Sequence, residues 1–162
     1  MRRAVVITVS DGVSAGVRED RSGTVLEERL VGLGFAVDRA LVSDDTSAIG
    51  RALVDAVRDH SLVCTTGGTG LTPRDVTPQA TLALVDYQVP GLAEAMRAAG
   101  RAVTPLADLS RGVVGVRDRA LIVNLPGSPK AALESLAAIE PALNHALETL
   151  AGPFDHGTGD ES

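Results

Sequence analysis

Two rhythms of apolar and polar positions alternate along this chain. Ala4 to Val9 (AVVITV) is an apolar run, as expected of a strand covered on both faces. A polar loop from Ser10 to Arg21 follows. Ser22 then offers an N-cap for a helix that places Val25, Leu26, Leu30 and Leu33 on its inner side and stops at Gly34. Phe35 to Val42 predicts a second strand. Beyond it, Asp44-Asp45-Thr46 offers caps for a helix whose Ile49, Leu53, Ala56 and Val57 form a core-facing stripe. Ser61 to Thr66 predicts the third strand, and Thr77, as cap, with Pro78 at the first helical position starts the next helix.

The second half continues the alternation. Gly91 to Ala99 reads as a helix, and Thr104-Pro105 marks a loop. Gly112 to Arg117 and Ala120 to Leu125, separated by Asp118-Arg119, predict an antiparallel hairpin. A long helical pattern after Pro129 carries Leu133, Leu136, Leu143, Leu147 and Leu150, and Pro141 is expected to kink or divide it. Residues 152–162 are polar and are expected to form a disordered tail on a single domain of residues 1–151. The predicted fold is a three-layer α/β/α sandwich on a mostly parallel sheet with one antiparallel hairpin.

That architecture places three loops at the carboxyl edge of the sheet, where ligands bind in open α/β folds. They carry Ser10 and Asp11, then Asp44 and Asp45, then Gly67 to Asp75.

Composition narrows the possible ligands. A formal net charge of −6 argues against non-specific nucleic-acid binding, which needs a basic surface. Aromatics are only 2% of the 162 residues, so stacking platforms for single strands are scarce as well. An anionic substrate must therefore be held by backbone amides, a few Lys or Arg, or a divalent cation. The one cysteine, Cys64, follows Leu62-Val63 and reads as a small buried hydrophobe rather than a nucleophile. Arg2-Arg3 and the short run after it are too brief for a secretory signal, and nothing approaches the roughly eighteen apolar residues of a membrane span. The cytoplasm is the expected compartment.

The chemistry concentrates in TTGGTGLTPRD, residues 65–75. Gly67, Gly68 and Gly70 open backbone conformations closed to other residues, so successive N–H groups can form an anion-binding nest. Thr65, Thr66 and Thr69 add hydroxyl donors. The alternative is a tight loop whose glycines serve geometry alone. A Walker A loop is excluded, since no Lys-Ser or Lys-Thr follows at the required spacing. Asp75 is either a turn cap or a working carboxylate. Asp44 and Asp45 are either an acidic helix start or part of the same site. Carboxylates beside a phosphate need a cation between them, and Mg²⁺ held by one or two carboxylates plus substrate phosphates supplies it.

Lys130, in LPGSPK, marks a second candidate anion loop together with Pro126, Gly127 and Ser128, with a structural turn as the other reading. Glu94 and Arg97 read as a solvated ion pair. His60, His145 and His156 lack metal-ligand spacing.

Four collinear motifs carry a resemblance to a known family. SDGVSAGVREDRSG (10–23), TTGGTGLTPRDVTPQAT (65–81), PGLAEAMR (90–97) and LSRGVVGVRDRALIVNLPGSPKA (109–131) resemble the MogA/MoaB molybdenum cofactor biosynthesis family, to which the gephyrin G-domain is similar. The resemblance runs from about residue 4 to 150. It implies a Mg²⁺-dependent transfer of AMP from ATP to the terminal phosphate of molybdopterin, with pyrophosphate released, and a homotrimer. Its two functional aspartates fall on Asp44 and Asp75, as catalytic and metal-holding groups. It puts Thr66, Gly67, Gly68, Thr69 and Gly70 at the molybdopterin end, and Pro126, Gly127, Ser128 and Lys130 near the nucleotide. Ser10, Asp11, Asp20 and Ser22 match the family's first block, of which Ser10 and Asp11 are expected to touch substrate. Contact with other molybdenum cofactor enzymes is implied by the labile intermediate. Two alternatives share the resemblance: a non-catalytic, MoaB-type pterin carrier, and molybdate insertion, which comes with additional domains.

Overall fold

The computed structural model describes residues 1–154. Six strands form one sheet: β1 (Arg3–Val9), β2 (Ala36–Val42), β3 (Leu62–Thr66), β4 (Tyr87–Gln88), β5 (Val114–Arg117) and β6 (Ala120–Leu125). The helices are α1 (Asp11–Ser14), α2 (Arg21–Gly32), α3 (Thr46–Asp59), α4 (Thr77–Leu82), α5 (Pro90–Arg101) and α6 (Pro129–Ala151). The strand order is β2-β1-β3-β6-β5-β4. β1, β2, β3 and β6 run parallel, while β5 is antiparallel to both β6 and β4. The predicted three-layer sandwich and its hairpin are therefore present.

Period-two alternation in the central strands explains why their sequences look uniformly apolar. Ala4, Val6, Leu62, Cys64, Leu121 and Val123 face α2, α5 and α6 through Leu26, Leu30, Met96, Leu136 and Leu143. Val5, Ile7, Val63 and Ile122 face the other way, onto Ile49, Leu53 and Ala56 of α3 and Ala80 of α4. Each strand residue is thus buried from one side or the other. Cys64 is 0% exposed, and burial pushes its thiol up to about 12. Its expected behaviour is inertness: alkylation by iodoacetamide at neutral pH should follow unfolding, as comparison of native and urea-unfolded protein would reveal.

Several local expectations change in the structure. Asp20, not Ser22, caps α2, its Oδ1 accepting from the Gly23 amide at 3.0 Å. Leu33 leaves the inner stripe because the helix ends at Gly32 and Gly34 turns at φ 95°, so Leu33 is 39% exposed. The Ser10–Arg21 loop contains one helical turn, α1, capped by the Ser10 hydroxyl. α4 begins at Thr77 rather than after it, with Val76 in the cap position, because the Thr77 hydroxyl donates to the Gly67 carbonyl instead.

Pro141 does not divide α6. It and Ala137, whose carbonyl it leaves without a helical donor, are both exposed, so water can take the missing bond. Buried Leu136, Ile139, Leu143 and Leu147 hold the helix on either side of it. Arg97 forms no pair with Glu94; its Nη1 donates to the carbonyls of Ser110 (3.3 Å) and Gly112 (2.9 Å). β4, only two residues long, gave no pattern to read. Of the expected tail, residues 152–154 are placed, with the Arg119 guanidinium 4.8 Å above the Phe154 ring, and residues 155–162 lie outside the described part, as does His156. No helix among the described residues is long and apolar enough to cross a membrane.

Candidate active site

Strand order determines where a cleft can open. From β1 the chain crosses over α2 to β2 at one edge, then returns over α3 on the opposite face to β3 on the far side of β1. The loops after β1 and β3 therefore part from each other, leaving a crevice at the carboxyl ends. A cavity of about 690 Å³ occupies it. Its walls include Thr8 and Val9 of β1, Ser10 just beyond it, Asp20 to Ser22 at the start of α2, Asp44 after β2, Thr66 at the end of β3 with Gly67 and Gly68 after it, Asp75, and Gly127 to Pro129 at the start of α6.

Glycine is required where these loops touch. Gly67 has φ 100°, and a Cβ there would fall 2.4 Å from the Val9 carbonyl oxygen. Gly68, at φ 71°, would place one 2.2 Å from the Thr77 hydroxyl. The Gly67 amide donates to the Leu125 carbonyl (3.1 Å) and the Thr66 hydroxyl to that of Pro126 (2.7 Å), tying the β3 loop to the β6 loop. The nest is consequently smaller than the sequence suggested. Gly67 and Thr66 have spent their donors, and Thr65 is buried with Asn124 Nδ2 donating to it at 3.0 Å. The amides of Gly68, Thr69 and Gly70 have no protein acceptor among the described residues.

Asp44 and Asp45 have different surroundings. Asp45 caps α3, accepting from the Ala48 amide at 2.8 Å, whereas Asp44 lines the cleft. Asp44 and Asp11 make a reciprocal pair: the Asp11 amide donates to Asp44 Oδ2 (3.0 Å) and the Asp44 amide to Asp11 Oδ1 (2.9 Å). Asp75 Oδ2 accepts from both the amide and the hydroxyl of Thr72 at 2.9 Å. Asp44 and Asp75 thereby each keep Oδ1 without a protein hydrogen bond among the described residues.

Not every expected residue reaches the cleft. Asp11 lies behind Asp44 and binds Arg74, with Nη2 to Oδ2 at 2.5 Å. Thr69 is buried with its carbonyl held by the Arg111 amide, and Gly70 lies beneath Asp75, where a Cβ would be 2.8 Å from Oδ2. Pro126 faces a second cavity. Lys130 points outward, 79% exposed and 3.9 Å from Glu134, because it sits on the open side of the first turn of α6. Ser10, Asp44, Thr66, Gly67, Gly68, Asp75, Gly127 and Ser128 do converge.

Hydrogen bonding also sets the charge of Asp11. The Arg74 guanidinium, helped by the Asp44 amide, holds its carboxyl below the usual carboxylate range. A lowered folded-state pKa means the contact supports the native state above the unfolded pKa and is lost as pH falls through the folded value. Arg74→Ala is expected to move the Asp11 pKa upward, and a carboxyl-carbon NMR titration would register it.

Sequence reasoning missed a network that runs from the cleft wall at Thr8 and Asp20 back to Arg39 and Glu27. Asp20 accepts from the Thr8 hydroxyl (2.8 Å) and from Arg39 Nη2, and Arg39 Nη1 bonds Glu27 at 2.7 Å. Arg39 Nε is buried with no partner. The signal available was a lone arginine inside a strand pattern. Also missed was Arg111, which holds the Asp75 segment from behind: Nε donates to the Gly70 carbonyl (2.8 Å) and Nη2 to that of Asp75 (2.7 Å). A smaller cavity of about 210 Å³ opens between α5, the turn at Pro105–Leu109 and the start of α6, bounded by Met96, Arg97, Pro126 and Glu134 among others.

A cleft lined by carboxylates and glycines at the switch point of a 2-1-3 parallel sheet defines a doubly wound α/β domain. This chain belongs to the family described as "Probable molybdopterin binding domain", whose match covers residues 5–145. It is 41% identical to the molybdopterin adenylyltransferase of Escherichia coli K12 over 145 residues, covering 86% of this chain and 74% of that protein. It is 42% identical over 157 residues to a molybdenum cofactor biosynthesis bifunctional protein of Synechococcus elongatus, covering 96% of this chain but only 49% of that one. Among solved structures, the molybdopterin biosynthesis enzyme MoaB of Thermus thermophilus superposes with a TM-score of 0.88 at 49% identity, covering 96% of this chain and 100% of that one.

Proposed function

We propose that this protein transfers AMP from ATP to the terminal phosphate of molybdopterin, giving adenylyl-molybdopterin and pyrophosphate. The observation that carries the reading is the convergence of Asp44, Asp75, the Gly67–Gly68 turn and the start of α6 on one cleft. Relatives that are named molybdopterin adenylyltransferases, from Escherichia coli, Helicobacter pylori and Haemophilus influenzae, support it at 37–42% identity.

The reaction needs little from protein side chains. A phosphate monoester is largely ionised at pH 7, so its oxygen can attack the α-phosphorus of ATP without a general base. That bond forms as the bond from the α-phosphorus to the bridging oxygen breaks, and pyrophosphate leaves with the electron pair. Positioning and charge neutralisation then carry most of the catalysis. The Gly68 amide, the N-terminal end of α6, and Arg18 and Arg21 on the cleft wall supply positive or donor groups.

Mg²⁺ fits the donor set in a particular way. No cluster of three or more His, Cys, Asp or Glu able to cage a metal occurs among the described residues. Two carboxylates with free Oδ1 atoms, on one cleft, instead suit an ion that arrives on substrate phosphates. Asp44 and Asp75 would hold it. When bound, it would neutralise charge that develops on the phosphate oxygens. The smaller cavity beside Pro126 offers apolar walls for the organic part of a substrate. The same reading carries a homotrimer in the cytoplasm. The test is incubation with molybdopterin, ATP and Mg²⁺ followed by mass detection of adenylyl-molybdopterin; no product above the protein-free control would refute it.

A further inference from the structure

The segment Thr69–Asp75 presents an unusual holding problem. Leu71 to Arg74 are exposed, and the segment's own main chain makes one internal bond, from the Asp75 amide to the Thr72 carbonyl at 3.0 Å. Asp75 Oδ2 is occupied by Thr72, so the direction of Oδ1 depends on how the whole turn is seated. The seat is Arg111. Its amide donates to Thr69 (2.9 Å), and its guanidinium to Gly70, to Asp75 and, at 3.2 Å, to Gln79 Oε1. Both ends of the turn are thus pinned to a single residue.

Arg111 is itself seated by a second arginine. Residues 110–113 precede β5, and no ladder bond of that strand fixes the peptides on either side of Arg111. Arg97, from α5, donates to the carbonyls of Ser110 and Gly112, the residues flanking it. Neither arginine has a carboxylate partner among the described residues, unlike Arg3, Arg29 and Arg101. Arg111 spends a rigid, multi-donor fork on main-chain oxygens, a task a lysine ammonium cannot reproduce, while Arg97 serves its two carbonyls from Nη1 alone.

We infer that Arg111, backed by Arg97, is a positioning residue that aims the Asp75 carboxylate into the cleft for adenylyl transfer. The inference rests on Asp75 acting in that reaction. A misplacement of about 1 Å at reacting groups can cost on the order of 100-fold in rate, so a loosened seat should appear in kcat.

The test compares wild-type protein with Arg111→Lys, Arg97→Lys and the double variant, reading hydrogen exchange, kcat and the KM for ATP. Arg111→Lys is expected to raise exchange within residues 69–75, at the hydrogen-bonded Thr72, Arg74 and Asp75 amides, while β1 and β3 stay protected. Its kcat should fall roughly 10- to 100-fold with KM changed less than about threefold. Arg97→Lys should move the same quantities less, and the double variant little beyond Arg111→Lys alone, since the two act in series. Unchanged exchange at 69–75 overturns the inference. So does a uniform rise over the whole sheet, which would make Arg111 merely structural. Local loosening with unchanged turnover would instead remove Asp75 from the reaction, the failure of the functional reading rather than of the clamp. If Arg111→Lys fails to fold, Arg97→Lys, one step further from the turn, supplies the same readouts.

Discussion

Replacing Asp75 with asparagine is expected to lower turnover by about two to three orders of magnitude and leave the fold in place. The substitution keeps one oxygen, which can still accept from the amide and hydroxyl of Thr72, so the turn retains its internal bonds. What changes is the other position, where an NH₂ group would replace the lone pairs of Oδ1. That group can neither approach a cation nor sit comfortably beside one, and its added hydrogens alter the charge offered to the phosphates. Steady-state pyrophosphate release and the thermal midpoint separate the two consequences. Turnover within about threefold of wild type would contradict the role, whereas a collapsed midpoint would show that the carboxylate is chiefly structural.

Gly67→Ala should damage stability and activity together. Its φ of 100° is already unfavourable for alanine, and the new methyl would sit 2.4 Å from the Val9 carbonyl oxygen. A main-chain oxygen in a central parallel strand cannot swing aside as a flexible side chain would. The combined strain is on the order of 2–4 kcal/mol, which for a chain of this size lowers the thermal midpoint by roughly 5–12 °C. Relief requires the β3 loop to lift away from β1, which opens the crevice and carries the Gly68–Gly70 amides with it. Gly50→Ala in α3 is the matched control. Nothing lies within 4 Å of a Cβ there, and the helix should gain about 0.5–1 kcal/mol. Equal effects of the two substitutions would remove the close approach as an explanation.

These two residues also mark how far the sequence could be read. Gly67 and Asp75 lie in one short stretch, and the apolar strand before it places both at the carboxyl edge without knowledge of any contact. Asp44 follows by the same argument from β2, and Ile49, Leu53 and Ala56 report the buried face of α3 directly. Periodicity is a local property, so local features survive the reading. The residues that escaped are those whose partner is distant in the chain. Arg111 meets Asp75 across 36 positions and Arg39 meets Asp20 across 19. Arg97 gives no hint that it will serve two carbonyls rather than Glu94. In sequence the Thr66 hydroxyl reads as a donor for a ligand and that of Thr77 as a helix cap, yet each is consumed by a carbonyl of a neighbouring loop. Lys130 illustrates the same limit: its charge suggested a ligand, and the helix phase that turns it outward is not visible in a six-residue motif. Polar side chains choose among many partners, and only the packed fold decides which.

The central claim is a direct transfer between two bound substrates, with no nucleophile from the protein. Buried Cys64 cannot serve as one, and no histidine among the described residues lines the cleft. Incubation with molybdopterin, Mg²⁺ and ATP labelled at the α-phosphorus tests this most directly. The predicted result is label in the pterin product, in one-to-one ratio with pyrophosphate released and none retained on denatured protein. Pyrophosphate released without labelled pterin, or label fixed covalently to the chain, would contradict it.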